Sequence, residues 1–135
     1  MRQNIGGNSP WEREAGYARA VRVDRRVVVA GTTATGADGK LIGGADPYSQ
    51  AVQALDNIAA ALAAAGAQLE DVVRTRLYIT RREDAAGVMR AHRERLGHVR
   101  PAATLVVVSG LIDPAMLVEI EAEAAASAPL AGSPE

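Results

Sequence analysis

The stretch 100–123, RPAATLVVVSGLIDPAMLVEIEAE, decides how the rest of the chain can fold. It holds two apolar, β-branched runs, 104–109 and 116–122, joined through Gly110, Asp113 and Pro114. Those joining residues punctuate turns, so the segment predicts two strands with a short connection. Successive side chains of a strand point to opposite faces. Leu117, Glu119, Glu121 and Glu123 therefore share one face of the second strand, and Met116, Val118, Ile120 and Ala122 the other. Three carboxylates in a row need water, cations or a polar partner surface. A solvated face is the plain reading. An earlier strand of opposite sign offers another.

The sequence has 135 residues, the size of one ordinary domain, and 48% of them are apolar, enough for a single core. A net charge of −1 gives no reason to expect nucleic acid or an acidic membrane as partner. The absence of cysteine excludes disulfides, thiolate catalysis and cysteine-based zinc sites together. No apolar run approaches a membrane span, and residues 1–10 lack the apolar centre of a signal peptide, so the expected location is the cytoplasm. Phenylalanine is absent and only Trp11, Tyr17, Tyr48 and Tyr78 are aromatic, which leaves the core to Val, Leu, Ile and Ala.

Residues 1–15 are polar, contain Gly6, Gly7 and Pro10, and read as an irregular arm. The alternating run 17–23 and the apolar run 27–31, separated by Asp24-Arg25-Arg26, predict a β-hairpin. The glycine-rich loop 36–44 lacks the spacing of a phosphate-binding loop and reads as a connection. Asp46 is a good N-cap, Pro47 suits a first turn and Gly66 a stop. Between them Val52, Leu55, Ile58 and Leu62 recur at helical spacing. Run 72–80 predicts a strand with Val73, Thr75, Leu77 and Ile79 on one face and Arg74, Arg76, Tyr78 and Thr80 on the other. A second helix over 84–96 turns Val88, Ala91, Arg95 and Leu96 inward and ends at Gly97. A single domain over 16–124 is followed by a flexible tail, 125–135.

The order β-β-α-β-α-β-β predicts an α+β two-layer sandwich, a mixed sheet with two helices on one face. Its other face then carries Arg74, Arg76 and Tyr78 with the glutamates of the last strand, and neighbouring strands would set opposite charges across from one another. Such an uncovered face favours a homo-oligomer.

Several motifs occur in a familiar order. They are Gly16-Tyr17, the Val-Ala-Gly closing the second strand, Tyr48-Ser49-Gln50 opening the first helix, Val72-Val73-Arg74-Thr75, Arg100-Pro101-Ala102, and Val118-Glu119-Ile120-Glu121-Ala122. In these the chain resembles the Rid family (YjgF/YER057c/UK114, also labelled L-PSP endoribonuclease) from about residue 16 to 124. The resemblance implies a chorismate-mutase-like fold, a homotrimer, no cofactor, and a small-molecule pocket between subunits. It also implies hydrolysis of enamines and imines such as 2-aminoacrylate to keto compounds and ammonia. Active relatives place an arginine directly after Pro-Ala, where its planar fork holds a substrate carboxylate. Here that position is Ala103. A common serine before the strand glycine is Ala30, and an asparagine of the second helix aligns with Met89, whereas the tyrosine and the pocket glutamate are kept as Tyr17 and Glu119.

Tyr17 and Glu119 are thus the candidate catalytic pair, Tyr17 orienting substrate or water and Glu119 acting as acid or base. Their plain readings are interface packing and a salt bridge to Arg74 or Arg76. Ala30, Met89 and Ala103 are candidate pocket residues. Trp11 either caps the pocket or staples the arm. His92, one turn from Met89, faces the same cleft or the surface. Two histidines without a carboxylate pattern give no metal site. A pocket so lined is expected to favour a neutral ligand over a short carboxylate, unless Arg19, Arg74, Arg76 or Arg100 neutralises Glu119. Three functions fit this pattern. They are a Rid-type deaminase with shifted specificity, a non-catalytic binding or sensing trimer, and RNA cleavage. The absence of a basic stripe disfavours the last.

Overall fold

The computed structural model of the chain describes residues 1–7 and 9–129. It contains β1 (Arg2–Ile5), α1 (Pro10–Ala15), β2 (Ala20–Val23), β3 (Arg26–Thr32), α2 (Pro47–Ala64), β4 (Val72–Ile79), α3 (Ala85–Leu96), β5 (Ala102–Val107) and β6 (Val118–Ala125). One sheet runs in the order β1-β2-β3-β6-β4-β5. Only β4 and β5 are parallel, joined by the crossover through α3. The α+β sandwich expected from the element order is the observed fold. No helix of the described residues is long and apolar enough to cross a membrane.

The core forms where α2 and α3 cover one face of the sheet. Leu55, Ile58 and Leu62 of α2 and Val88 and Leu96 of α3 are fully buried against Val27, Val29, Leu77, Ile79, Val118 and Ile120. Each such side chain contributes about 1.5–3 kcal/mol. The Asp46 side chain accepts from the Ser49 amide and so caps α2, with Pro47 leading the first turn. Gly66, in the left-handed region at φ 78°, follows its last turn. Arg95 of α3 turns only partly inward and pairs with Asp56 of α2 at 3.2 Å.

Two buried polar side chains tie the layers together. Gln50, 0% exposed, donates to the carbonyls of Gly44 and Ala115 and accepts from the Leu117 amide, fixing the entry into β6. Arg22, 3% exposed, faces the helix layer and donates to the carbonyl of Ala65 at the end of α2, where the helix dipole is negative. It also donates to the carbonyl of Ala128.

The structure corrects three expectations. Residues 1–15 are not an irregular arm, because β1 pairs antiparallel with β2, Arg2 opposite Val23 and Ile5 opposite Ala20. The six-residue α1 follows, capped by Ser9 and closed by Gly16 at φ 75°. Val73 does not face the core. A bulge against β6 between Val72 and Arg74 shifts the alternation by one, so Val72 is 3% exposed and Val73 52%. The tail begins later than 125, since β6 runs through Ala125 and the Ala126 amide donates to the Arg25 carbonyl. The remainder of the expected tail, 130–135, lies outside the described residues.

Candidate functional site

The face of the sheet away from the helices carries alternate residues of β4 and β6 in antiparallel register. Arg74 lies opposite Glu123, Arg76 opposite Glu121 and Tyr78 opposite Glu119. The opposed charges read from the two strands are therefore neighbours. Arg76 and Arg26 each approach Glu123 at 3.5 Å, and the Tyr78 hydroxyl donates to Glu121. Glu119 takes no part in this network. The expected salt bridge to Arg74 or Arg76 does not form, because the register sets Tyr78 across from Glu119 instead.

A second irregularity makes room for Glu119. Between Val29 and Thr32, β3 spends one more residue than β6, which displaces Ala30 and Gly31 from regular pairing. The glutamate side chain packs directly over Gly31, in the space a Cβ there would enter. Burial raises the carboxyl above its ordinary range. The nearby Arg19 guanidinium works against that rise and Glu121 adds to it. Among the described residues no group hydrogen-bonds or ion-pairs with the Glu119 carboxylate.

Arg19 is the cation that completes this corner. It donates from Nη2 to the Gly31 carbonyl at 2.5 Å, and its guanidinium lies 5.7 Å from the centre of the Tyr17 ring. Two cavities open on either side. The inner one, about 220 Å³, extends from Glu119, Arg19 and Tyr17 past Trp11 to Thr33, Thr35 and the alanine face of α2. The outer one, about 430 Å³, opens to solvent and adds Ala30, Tyr78 and Glu121. Tyr17, Arg19, Gly31 and Glu119 line both. Trp11 therefore forms part of a cavity wall, on a helix that the sequence reading did not foresee.

Met89, His92 and Ala103 gather elsewhere, with Arg93 and Leu105 around a separate cleft of about 380 Å³. Ala103 lies beside Thr75 in the parallel β4–β5 register and so shares the helix-covered face, opposite to that of Glu119. His92 Nε2 shares a 2.8 Å hydrogen bond with the Thr75 hydroxyl, and burial lowers its pKa, which favours the neutral ring. One chain thus divides the candidate residues into two groups. Arg100, at φ 56° after α3, lines none of these cavities, and His98 pairs with Glu70 on the surface. Among the described residues no cluster of three or more His, Asp or Glu could hold a metal ion.

Sequence reasoning weighed Arg19 among four arginines without a means of choosing. Gly31 was read only as a strand end. A glycine inside an otherwise β-branched run was the available signal for a bulge and a close approach.

Comparison with known proteins agrees with the fold. Residues 7–126 match the family model described as endoribonuclease L-PSP. An uncharacterized protein of Streptomyces coelicolor is 44% identical over 122 residues, 90% of either chain. The crystal structure of a YjgF/YER057c/UK114 member from Mycobacterium tuberculosis superposes with a TM-score of 0.84 at 42% identity, covering 93% of this chain and 99% of that one. A Rid protein of unknown function from Yersinia pestis gives a TM-score of 0.82 at 29% identity, covering 93% and 99%. With its fold, its motifs and most of its length matched, the chain belongs to the endoribonuclease L-PSP family, whose members also carry the names YjgF/YER057c/UK114 and Rid.

Proposed function

We propose that the chain is a homotrimeric, cytoplasmic Rid-type hydrolase acting on the C–N bond of a small enamine or imine, with a specificity shifted by Ala103. The observation that carries this reading is Glu119, a half-buried carboxyl with a raised pKa and no hydrogen-bonded partner among the described residues, set where two cavities meet. A carboxylate so placed takes a proton from water as the water attacks the imine carbon. The resulting acid passes that proton to the imine nitrogen, giving the neutral carbinolamine, and the carboxylate then carries the hydroxyl proton to the amino group as the C–N bond breaks, leaving a carbonyl and ammonia. Burial raises the Glu119 pKa and so favours the acid form more than at an exposed glutamate. Tyr17 borders the same point and orients substrate or water.

What a single chain leaves bare supports the oligomer. β5 is an edge strand with Val106 and Val107 exposed, and the face carrying Arg76, Tyr78 and Glu121 has no layer over it. Long exposed edges and apolar patches call for a partner. A neighbouring copy would bring its Met89, His92 and Ala103 to Tyr17 and Glu119 and close the pocket. Without an arginine at 103 the β5 side offers a ligand carboxylate no charge-assisted contact. That loss corresponds to about 10²-fold or more in rate on 2-aminoacrylate, compared with relatives that have the arginine.

The test is ammonia release from a panel of freshly generated imines and enamines, with and without a carboxylate, by the wild type and Glu119→Gln. Glu119-dependent hydrolysis of at least one substrate, with 2-aminoacrylate poorly used, is expected. Equal rates for the two proteins on every substrate would remove Glu119 from the chemistry. A sedimentation mass of one chain at micromolar concentration would remove the trimer.

A further inference from the structure

Arg19 lies near two carboxylates and is bonded to neither. Among the described residues its one hydrogen bond runs from Nη2 to the Gly31 carbonyl, and its Nε is buried without an acceptor. Glu119 is near enough to feel its charge, yet the two form no ion pair. Glu12, on α1, is the complementary case. Its Oε1 accepts from the Gly7 amide at 2.9 Å, whereas its Oε2 is buried without a donor. A buried donor and a buried acceptor, on groups of opposite charge, are thus both left unpaired. Each is costly, and native chains leave few of them.

The two unpaired atoms border the same gap. A Cβ added to Gly7 would lie 2.8 Å from Glu12 Oε2 and 3.0 Å from both Cγ and Cδ of Arg19, and Nε is the next atom along that side chain. Glycine at residue 7 leaves the gap open to both side chains. The last torsion of a glutamate is soft, so Oε2 swings toward Nε while Oε1 keeps the Gly7 amide. A carboxylate accepts at both oxygens, and a bond between charged partners is about twice as strong as a neutral one.

We infer that Glu12 is a positioning residue of the candidate site, which takes the buried Nε of Arg19 and so decides how much of that cation's charge Glu119 feels. This rests on Glu119 being the acid–base group proposed above, and it adds the means by which α1 acts on it. Glu12 lines neither cavity, so it works through Arg19 rather than by touching a ligand. Burial and Glu121 raise the Glu119 pKa, and Arg19 opposes the rise. A carboxylate bonded to Arg19 offsets part of that opposition, so Glu12 makes Glu119 the stronger base. The titratable and charged groups around Glu119 are Arg19 and Tyr17 from the chain entering β2, Tyr78 from β4, and Glu121 on β6. The Tyr78 hydroxyl is already given to Glu121. Arg19 is the one cation of this set and, through Nε, the member open to Glu12.

The Glu119 carboxyl carbon is followed across pH by NMR of protein labelled at glutamate, its resonance identified by its loss in Glu119→Gln. Glu12→Gln keeps the shape and removes the charge. It is expected to weaken proton binding at Glu119 about threefold, moving the midpoint down. Arg19→Gln moves the midpoint up, and in that background Glu12→Gln moves it no further. Glu12→Asp keeps the charge but falls one methylene short of the gap, and matches Glu12→Gln. A midpoint indifferent to Glu12→Gln overturns the inference. So does an equal shift in the Arg19→Gln background, or a Glu12→Asp midpoint at the wild-type value, since either marks a charge acting at a distance. Glu12→Asp leaves Arg19 in place, so it decides the matter if Arg19→Gln fails to fold. The acid limb of imine hydrolysis separates this inference from the reading it rests on. If the limb follows the NMR midpoint in each variant, both stand. If the midpoint moves and the limb does not, the link through Arg19 holds and the catalytic reading of Glu119 falls. If the limb depends on Glu119 while limb and midpoint both ignore Glu12, the link alone falls.

Discussion

The carboxyl group of Glu119 stands where a side chain on residue 31 would be. A Cβ added to Gly31 would lie 2.8 Å from Glu119 Oε1 and 2.9 Å from Cδ. Ordinary contacts are not so short, so one side must give. The bulge that displaces Gly31 and the burial that raises the Glu119 pKa are thus two aspects of one packing arrangement.

Gly31→Ala should therefore push the Glu119 side chain out of its seat. Because the group that must move is the end of a half-buried side chain beside two cavities, we expect a stability loss of about 1 kcal/mol or less, and at least a tenfold loss of any Glu119-dependent activity. Thermal melts of Gly31→Ala, Glu119→Ala and the double variant check the cause. If the clash is with Glu119, the double variant recovers stability relative to the sum of the singles. Simple additivity would place the strain elsewhere.

Gln50→Leu keeps an apolar contact but leaves the carbonyls of Gly44 and Ala115 and the amide of Leu117 without their partner. Unpaired polar groups of this kind cost about 1–3 kcal/mol each when fully shielded, and these three are partly shielded. A total loss of about 2–4 kcal/mol in urea denaturation is expected. A change under about 0.5 kcal/mol would mean that water replaces the side chain at no cost.

The strands that carry the site were legible because their pattern has period two over long runs. Val118, Ile120 and Ala122 face the core and Glu119, Glu121 and Glu123 face away, as their alternation implies. Both α2 caps were readable for the same local reason. β1 was not, because Arg2-Gln3-Asn4-Ile5 has one apolar residue and becomes a strand through backbone pairing with β2. The six-residue α1 left the Ser9-Pro10 start and Gly16 stop as signals, but its run was too short for periodicity to register. The candidate corner was half legible. Tyr17 and Glu119 could be named from motifs, whereas the choice of Arg19 over Arg74 and Arg76 depends on a register that only β4–β6 pairing fixes.

The β4 bulge gives a direct contrast between adjacent residues of the same type. Val72→Ala removes two buried methyl groups and should cost about 1–2 kcal/mol. Val73→Ala, at an exposed position, should stay within about 0.5 kcal/mol in the isolated chain. Denaturation under conditions that hold the oligomeric state fixed compares them. The reverse order would place the bulge one residue away.

The pH dependence of stability should carry two opposed contributions. The Glu119 pKa is raised on folding by burial, so its contribution is fully present below the unfolded carboxyl value and is lost as pH rises through the folded one. The His92 pKa is lowered by burial beneath its ordinary 6.5, so its contribution is present above that value and is lost as pH falls through the folded one. His92→Gln should therefore flatten the acid-side decline that begins near pH 6.5, while Glu119→Gln should gain on the wild type as pH rises past the ordinary carboxylate range. Both groups are only about half shielded, so each effect is modest and screened by solvent. Chemical denaturation at fixed ionic strength across that range measures both slopes. A wild-type decline on the acid side that persists unchanged in His92→Gln would assign it to other groups and leave the 2.8 Å bond to Thr75 without a part in it.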